Sequence, residues 1–194
     1  MRDHAFWDWF LANERALWNV QSRSDEVLEP LQNALSGYQY GLSCEVSEEE
    51  SGKRELIISA GGDRRLFDAV EALVAQAPRL DRWNMFALKP PRGFDFTLEN
   101  DATRVNPREL VFEPLASRVD PRALGIRVFV DAKTVSPHLR EAVSNAVEIG
   151  LGEKVAGDIQ RIEVVPLDKP VEEYIPLKDL AAYLEWFKKK TAIQ

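Results

Sequence analysis

The chain has 194 residues, a formal net charge of -7, 45% hydrophobic and 29% charged residues, and one cysteine, Cys44. That balance is ordinary for a folded globular chain and far from disorder, and a chain of this length buries roughly 70% of its unfolded surface with no metal or disulfide staple. The acidic excess argues against nucleic acid and anionic membranes as partners, because both are bound through clustered Lys and Arg.

Cys44 has no second cysteine to pair with, and Met1-Arg2-Asp3-His4 opens no secretory signal. No apolar run approaches the ~18 residues of a membrane helix. The expected compartment is the cytoplasm.

Helical periodicity begins at Phe6 and runs to Val20. Phe6, Phe10 and Leu17 lie opposite Asp8, Ala12, Arg15 and Asn19, and Trp7, Trp9, Trp18 and Val20 flank the apolar stripe. That arc is wider than a single core contact requires. Either the helix is wedged between two elements, or its aromatic flank, with Trp7 and Trp18, meets a protein partner.

A second helix is expected from Ser24 to Leu35, with Ser24 as cap, Val27, Leu28, Leu31, Ala34 and Leu35 inward, and Gly37 as the stop. Pro30 marks either its start or a kink. The period then changes to two: Leu42, Cys44 and Val46 alternate with polar residues, and Leu56 to Ala60 forms the other arm of a hairpin. A helix from Arg64 to Ala77 and a strand from Asn84 to Leu88 follow.

Beyond Lys89-Pro90-Pro91-Arg92-Gly93, the alternation of Phe94, Phe96 and Leu98 predicts another strand, and Asn100-Asp101 a turn. Asn106-Pro107 and Asp120-Pro121 bracket the apolar run Leu110 to Leu115. Ile126 to Asp131 predicts a strand, Ser136-Pro137 opens a helix reaching Gly150, and Ile159 to Pro166 is a further strand. A last helix spans Leu177 to Lys190.

The order β-β-α-β thus occurs from Leu42 to Leu88 and again from Leu110 to Pro166. The expected class is α+β. One mixed, mainly antiparallel sheet would be shared by the two units, with helices on one face and at both termini. No flexible linker divides the chain, which favours a single domain over residues 1–194, with 1–100 and 101–194 as the alternative subdivision.

The chemistry-bearing residues are sparse. His4, His138 and Cys44 cannot build a His/Cys zinc cluster, and no metal or cofactor is expected. Cys44 alternates with Leu42 and Val46 and so points inward, where a thiol is inert. Ala60-Gly61-Gly62-Asp63-Arg64-Arg65 joins a strand to a helix and could hold an anion on its amides, but Asp63 would repel phosphate and better serves as the helix cap. Glu48-Glu49-Glu50 reads as a solvated hairpin tip, and Lys188-Lys189-Lys190 as cations suited to a helix C-terminus.

The most unusual stretch is Lys89-Pro90-Pro91-Arg92-Gly93-Phe94-Asp95-Phe96. Two prolines stiffen it and Gly93 lets it turn. A rigid loop presenting Lys89, Arg92 and Asp95 could grip a carboxylate or phosphate, joined by Arg64 if the two loops meet. The plainer reading is a rigid crossover.

With Phe6-Trp7-Asp8-Trp9-Phe10, Glu55-Leu56-Ile57-Ile58-Ser59-Ala60, Ala77-Pro78 and Trp83, this loop resembles a family of uncharacterised bacterial proteins, up to about Leu115. The resemblance implies a bacterial cytosolic source and no activity, and it carries over no catalytic residue. Two functions are expected. The first is a non-enzymatic protein-interaction or regulatory module whose partner is another protein or a second copy. The alternative is a small anionic-ligand-binding protein or enzyme with its site at Lys89, Arg92, Asp95 and Arg64.

Overall fold

The computed structural model describes residues 3–20, 26–100, 103–117, 120 and 123–192. Helices and strands both contribute, and the class is α+β. The chain divides into two compact units, Met1–Pro90 and Pro91–Gln194.

In the first unit, α1 (Asp3–Trp18) and α2 (Leu28–Tyr38) precede strands β1 (Ser43–Val46) and β2 (Arg54–Ser59). A 3-10 turn (Arg64–Leu66) leads into α3 (Phe67–Ala75), and β3 (Trp83–Ala87) completes the sheet. Pro30 falls in the first turn of α2, where its missing N–H has no helical acceptor to lose. The first helical bond runs from Leu31 N–H to the Val27 carbonyl. Ser24, the expected cap, lies outside the described residues. Gly37 does not end the helix; it sits inside the last turn, and Gln39 N–H closes onto Leu35.

Strand order is β1-β2-β3, with β1 antiparallel and β3 parallel to β2. The helical crossover through α3 permits the parallel pairing. Leu56 and Ile58 of β2 enter a core with Phe6 and Phe10 of α1, Leu35 of α2 and Leu73 of α3. Ile57 and Ser59, on the opposite face of β2, are buried as well. A strand covered on both faces reads as the unbroken apolar run seen in the sequence.

The second unit opens with a hairpin of β4 (Leu98–Asn100) and β5 (Thr103–Val105), then a 3-10 turn (Pro107–Glu109). A separate sheet contains β6 (Val111–Ala116), β7 (Leu124–Val130), β8 (Ile159–Pro166) and β9 (Ile175–Pro176), in the order β8-β7-β6-β9. Helices α4 (Pro137–Leu151) and α5 (Glu153–Ala156) carry the chain from β7 to its parallel neighbour β8, and α6 (Leu180–Ala192) follows β9. Ser136 caps α4 by accepting the Leu139 N–H, with Pro137 at its first position.

Ile126 and Val128 of β7 pack with Val143 and Val147 of α4 and with Leu180 and Leu184 of α6. On the other face Arg127 bridges two neighbouring strands, bonding Glu113 of β6 at 2.7 Å and Glu163 of β8 at 2.9 Å.

Two expectations are corrected. The β-β-α-β order does occur twice, but each copy closes its own sheet; with the β4–β5 hairpin there are three separate sheets among the described residues, where one shared sheet was expected. The physical reason is local: each crossover helix returns its strand to the central strand it left, and β2 and β7 are thereby flanked on both sides within their own unit. The alternation from Phe94 to Leu98 does not make a strand until Leu98, because Phe94 turns inward against α4. Asp101 and Pro121, expected turn residues, lie outside the described residues.

Candidate functional site

The proline-rich loop is where sequence and structure meet. The chain leaves β3 through Leu88, which is buried and held at a φ of 64°. Its N–H donates to the Ile58 carbonyl at 2.8 Å. The left-handed region costs a non-glycine residue ~1–2 kcal/mol, and burial of the leucine opposes that cost. Lys89 then reaches Glu45 with Nζ 3.5 Å from Oε1.

The boundary between the units falls at Pro90–Pro91, so the expected four-residue cluster is split between them. Lys89 and Arg64 belong to the first unit, Arg92 and Asp95 to the second. Arg64 opens the 3-10 turn that Asp63 caps: the Asp63 carboxylate accepts the Arg65 N–H at 3.0 Å and its guanidinium at 2.7 and 2.9 Å. These bonds hold the Asp63 carboxyl below its usual range. The Gly-Gly-Asp-Arg-Arg segment is therefore a capped helix start.

In the second unit the loop docks on the end of α4. Arg92 N–H donates to the Ile149 carbonyl at 2.9 Å, and Gly93 N–H to Gly150 at 3.2 Å. These carbonyls lie in the last turn of α4, where helical acceptors have no partner of their own. Gly93 adopts a φ of 71°, open to glycine, and sends Phe94 into the core. A side chain on Gly150 would overlap the Phe94 ring, so the bare glycine makes the seat.

Beside this seat is an open cavity of about 260 Å³. Gly93, Phe94 and Gly150 form its weakly polar wall, with Ala181 at the start of α6. Three charged side chains line it: Asp95 from the loop, Arg108 from the 3-10 turn, and Lys178 just before α6. Arg108 Nη2 lies 2.7 Å from Asp95 Oδ2, and both side chains are well exposed. Asn106 positions the arginine by accepting the Arg108 N–H at 3.1 Å.

Of the residues expected from sequence, Asp95 lines this cavity. Arg92 contributes its backbone to the α4 cap, and its side chain is not part of the wall. Arg108 and Lys178 were missed. The Asn106-Pro107 turn signal marks where Arg108 stands, but nothing local ties it to Asp95.

The tryptophan expectation is corrected in part. Trp7 is buried, and its indole N–H donates to the Leu73 carbonyl at 2.8 Å. It leaves no face for a partner. Trp18 is half-buried, edge-on to Trp83 at 5.9 Å, with the Arg82 guanidinium 4.5 Å from its ring centroid. Glu14 ties this group together, accepting from Trp83 Nε1 at 2.7 Å and from Arg82 at 3.1 Å.

Cys44 donates its thiol toward Gln32 Oε1 at 3.7 Å. Burial, with Glu45 adding to it, pushes the thiol up to about 12, which withholds the thiolate a nucleophile needs. Among the described residues, no three His, Cys, Asp or Glu side chains group to hold a metal ion, and no helix is long and apolar enough to cross a membrane.

No protein-family profile, curated protein or solved structure matches this chain.

Proposed function

We propose that the second unit binds a small anionic ligand in the cavity between the proline-rich loop and the start of α6. The observation that carries this reading is the convergence of Arg108 and Lys178 on one open cavity beside an apolar wall. Apolar walls with a few converging polar groups are the usual form of a ligand site. At about 260 Å³ the cavity suits a small metabolite better than a nucleotide.

The loop supplies rigidity. Its backbone is pinned to α4 through Arg92 and Gly93, and Phe94 anchors it in the core. A preorganised wall lowers the ordering cost of binding. The guanidinium of Arg108 offers a fork to a carboxylate or phosphate, and the Lys178 ammonium a second positive charge.

The protein-interaction reading draws on the acidic charge, the sparse catalytic chemistry and the aromatics of the first helix; of these aromatics, Trp7 is buried against Leu73 and Trp18 packs half-buried against Trp83, which favours the ligand reading. The proposed setting is the cytoplasm, and no catalytic role is assigned.

Calorimetric titration with acetate and inorganic phosphate tests the proposal. At least one should bind the full chain, and Arg108→Ala and Lys178→Ala should each weaken it by tenfold or more. Equal binding by both variants would remove the cavity as the site.

A further inference from the structure

The charges around the cavity are mixed, and that mixture narrows the ligand class. Asp95, on the loop, is already in contact with the Arg108 guanidinium at 2.7 Å. An exposed ion pair of this kind is weak, so a ligand carboxylate can readily take the guanidinium over. A plain carboxylate or phosphate would then bring a second negative charge beside a displaced Asp95. A ligand that also carries an ammonium removes the conflict, because the ammonium pairs with the carboxylate that its own carboxylate has displaced.

We infer, resting on the small-anion reading above, that the cavity takes an amino-acid-like zwitterion. Its carboxylate meets Arg108 and Lys178, its ammonium meets Asp95, and its apolar side chain lies along Phe94 and Ala181. Each charged group of the ligand then faces an opposite charge of the site. The small cavity volume fits a ligand of this size.

An isosteric series separates this inference from the reading beneath it. L-Valine, isovalerate (the same skeleton with no ammonium), isobutylamine (with no carboxylate) and inorganic phosphate are titrated into the full chain by calorimetry. L-Valine should bind at least tenfold more tightly than isovalerate or phosphate, and isobutylamine weakest of all. Asp95→Asn should erase the advantage of L-valine over isovalerate, while Arg108→Ala should weaken both. Circular dichroism of each variant confirms that it is folded.

Isovalerate or phosphate binding as tightly as L-valine, with Asp95→Asn neutral or favourable, would overturn the zwitterion and leave the anion site standing. Failure of all four probes to bind would overturn both.

Discussion

Gly150 and Phe94 share one space: a methyl on the glycine would fall on the ring at Cε1, Cζ and Cδ1. The bare Cα of α4 is what lets the loop seat its phenylalanine and hold the wall of the cavity.

A thermodynamic cycle tests that relationship. Gly150→Ala should destabilise the chain by about 1–3 kcal/mol through overpacking, and Phe94→Ala by about 3–5 kcal/mol through lost burial and a cavity. In the double variant the added methyl enters the space the ring vacates, so the combined loss should fall short of the sum by 1 kcal/mol or more, as coupled contacts do. Urea unfolding of the four proteins measures it. Simple additivity would mean that the two residues do not compete for that space.

Trp7→Phe should lower stability by about 1–3 kcal/mol, because it removes the indole hydrogen bond to the Leu73 carbonyl, which keeps only the Gln76 N–H, and shrinks a fully packed ring. Trp18→Phe should cost less. Its ring is half-buried, and a cation–π contact such as that with Arg82 is worth roughly 0.5–1 kcal/mol at an exposed site. The order of the two midpoints in denaturant decides the matter. A larger loss at Trp18 would contradict the core role of Trp7.

Cys44 gives a pH dependence. Its thiol is raised from 9.0 to about 12 in the folded chain, so the folded state favours the neutral thiol. The resulting stability is fully present below the unfolded value near 9 and is lost as pH rises toward about 12. Cys44→Ala should flatten the decline between those values. In the native protein at pH 8 a thiol reagent should leave Cys44 unmodified over the time in which it labels the urea-unfolded chain completely. Fast native labelling would contradict the half-buried, neutral thiol.

Local signals carried much of the fold. Ser136-Pro137 opened α4 because cap and first-turn proline act within one turn, and the period-two run around Cys44 formed β1. The separation of the sheets was not legible, because Ile57 in β2 and Phe129 in β7 are buried strand residues that do not announce which strand they will neighbour. The alternation of Phe94, Phe96 and Leu98 misled for a related reason: the pattern says that Phe94 is buried but not that its seat is a helical glycine. Of the site, Asp95 was visible on a conspicuous loop. Arg108 and Lys178 were not, since only the tertiary fold brings their turns to that loop. Trp7 was ambiguous until its Leu73 acceptor fixed it in the core.

The most direct measurement is an amide chemical-shift map of the full chain, recorded as L-valine is added. The account predicts saturable shifts concentrated at Gly93, Phe94, Gly150 and Ala181, with the Arg108 amide among them, and their loss in Arg108→Ala. Shifts clustered instead around Gly61 and Gly62, or no saturable shifts at the cavity, would contradict it.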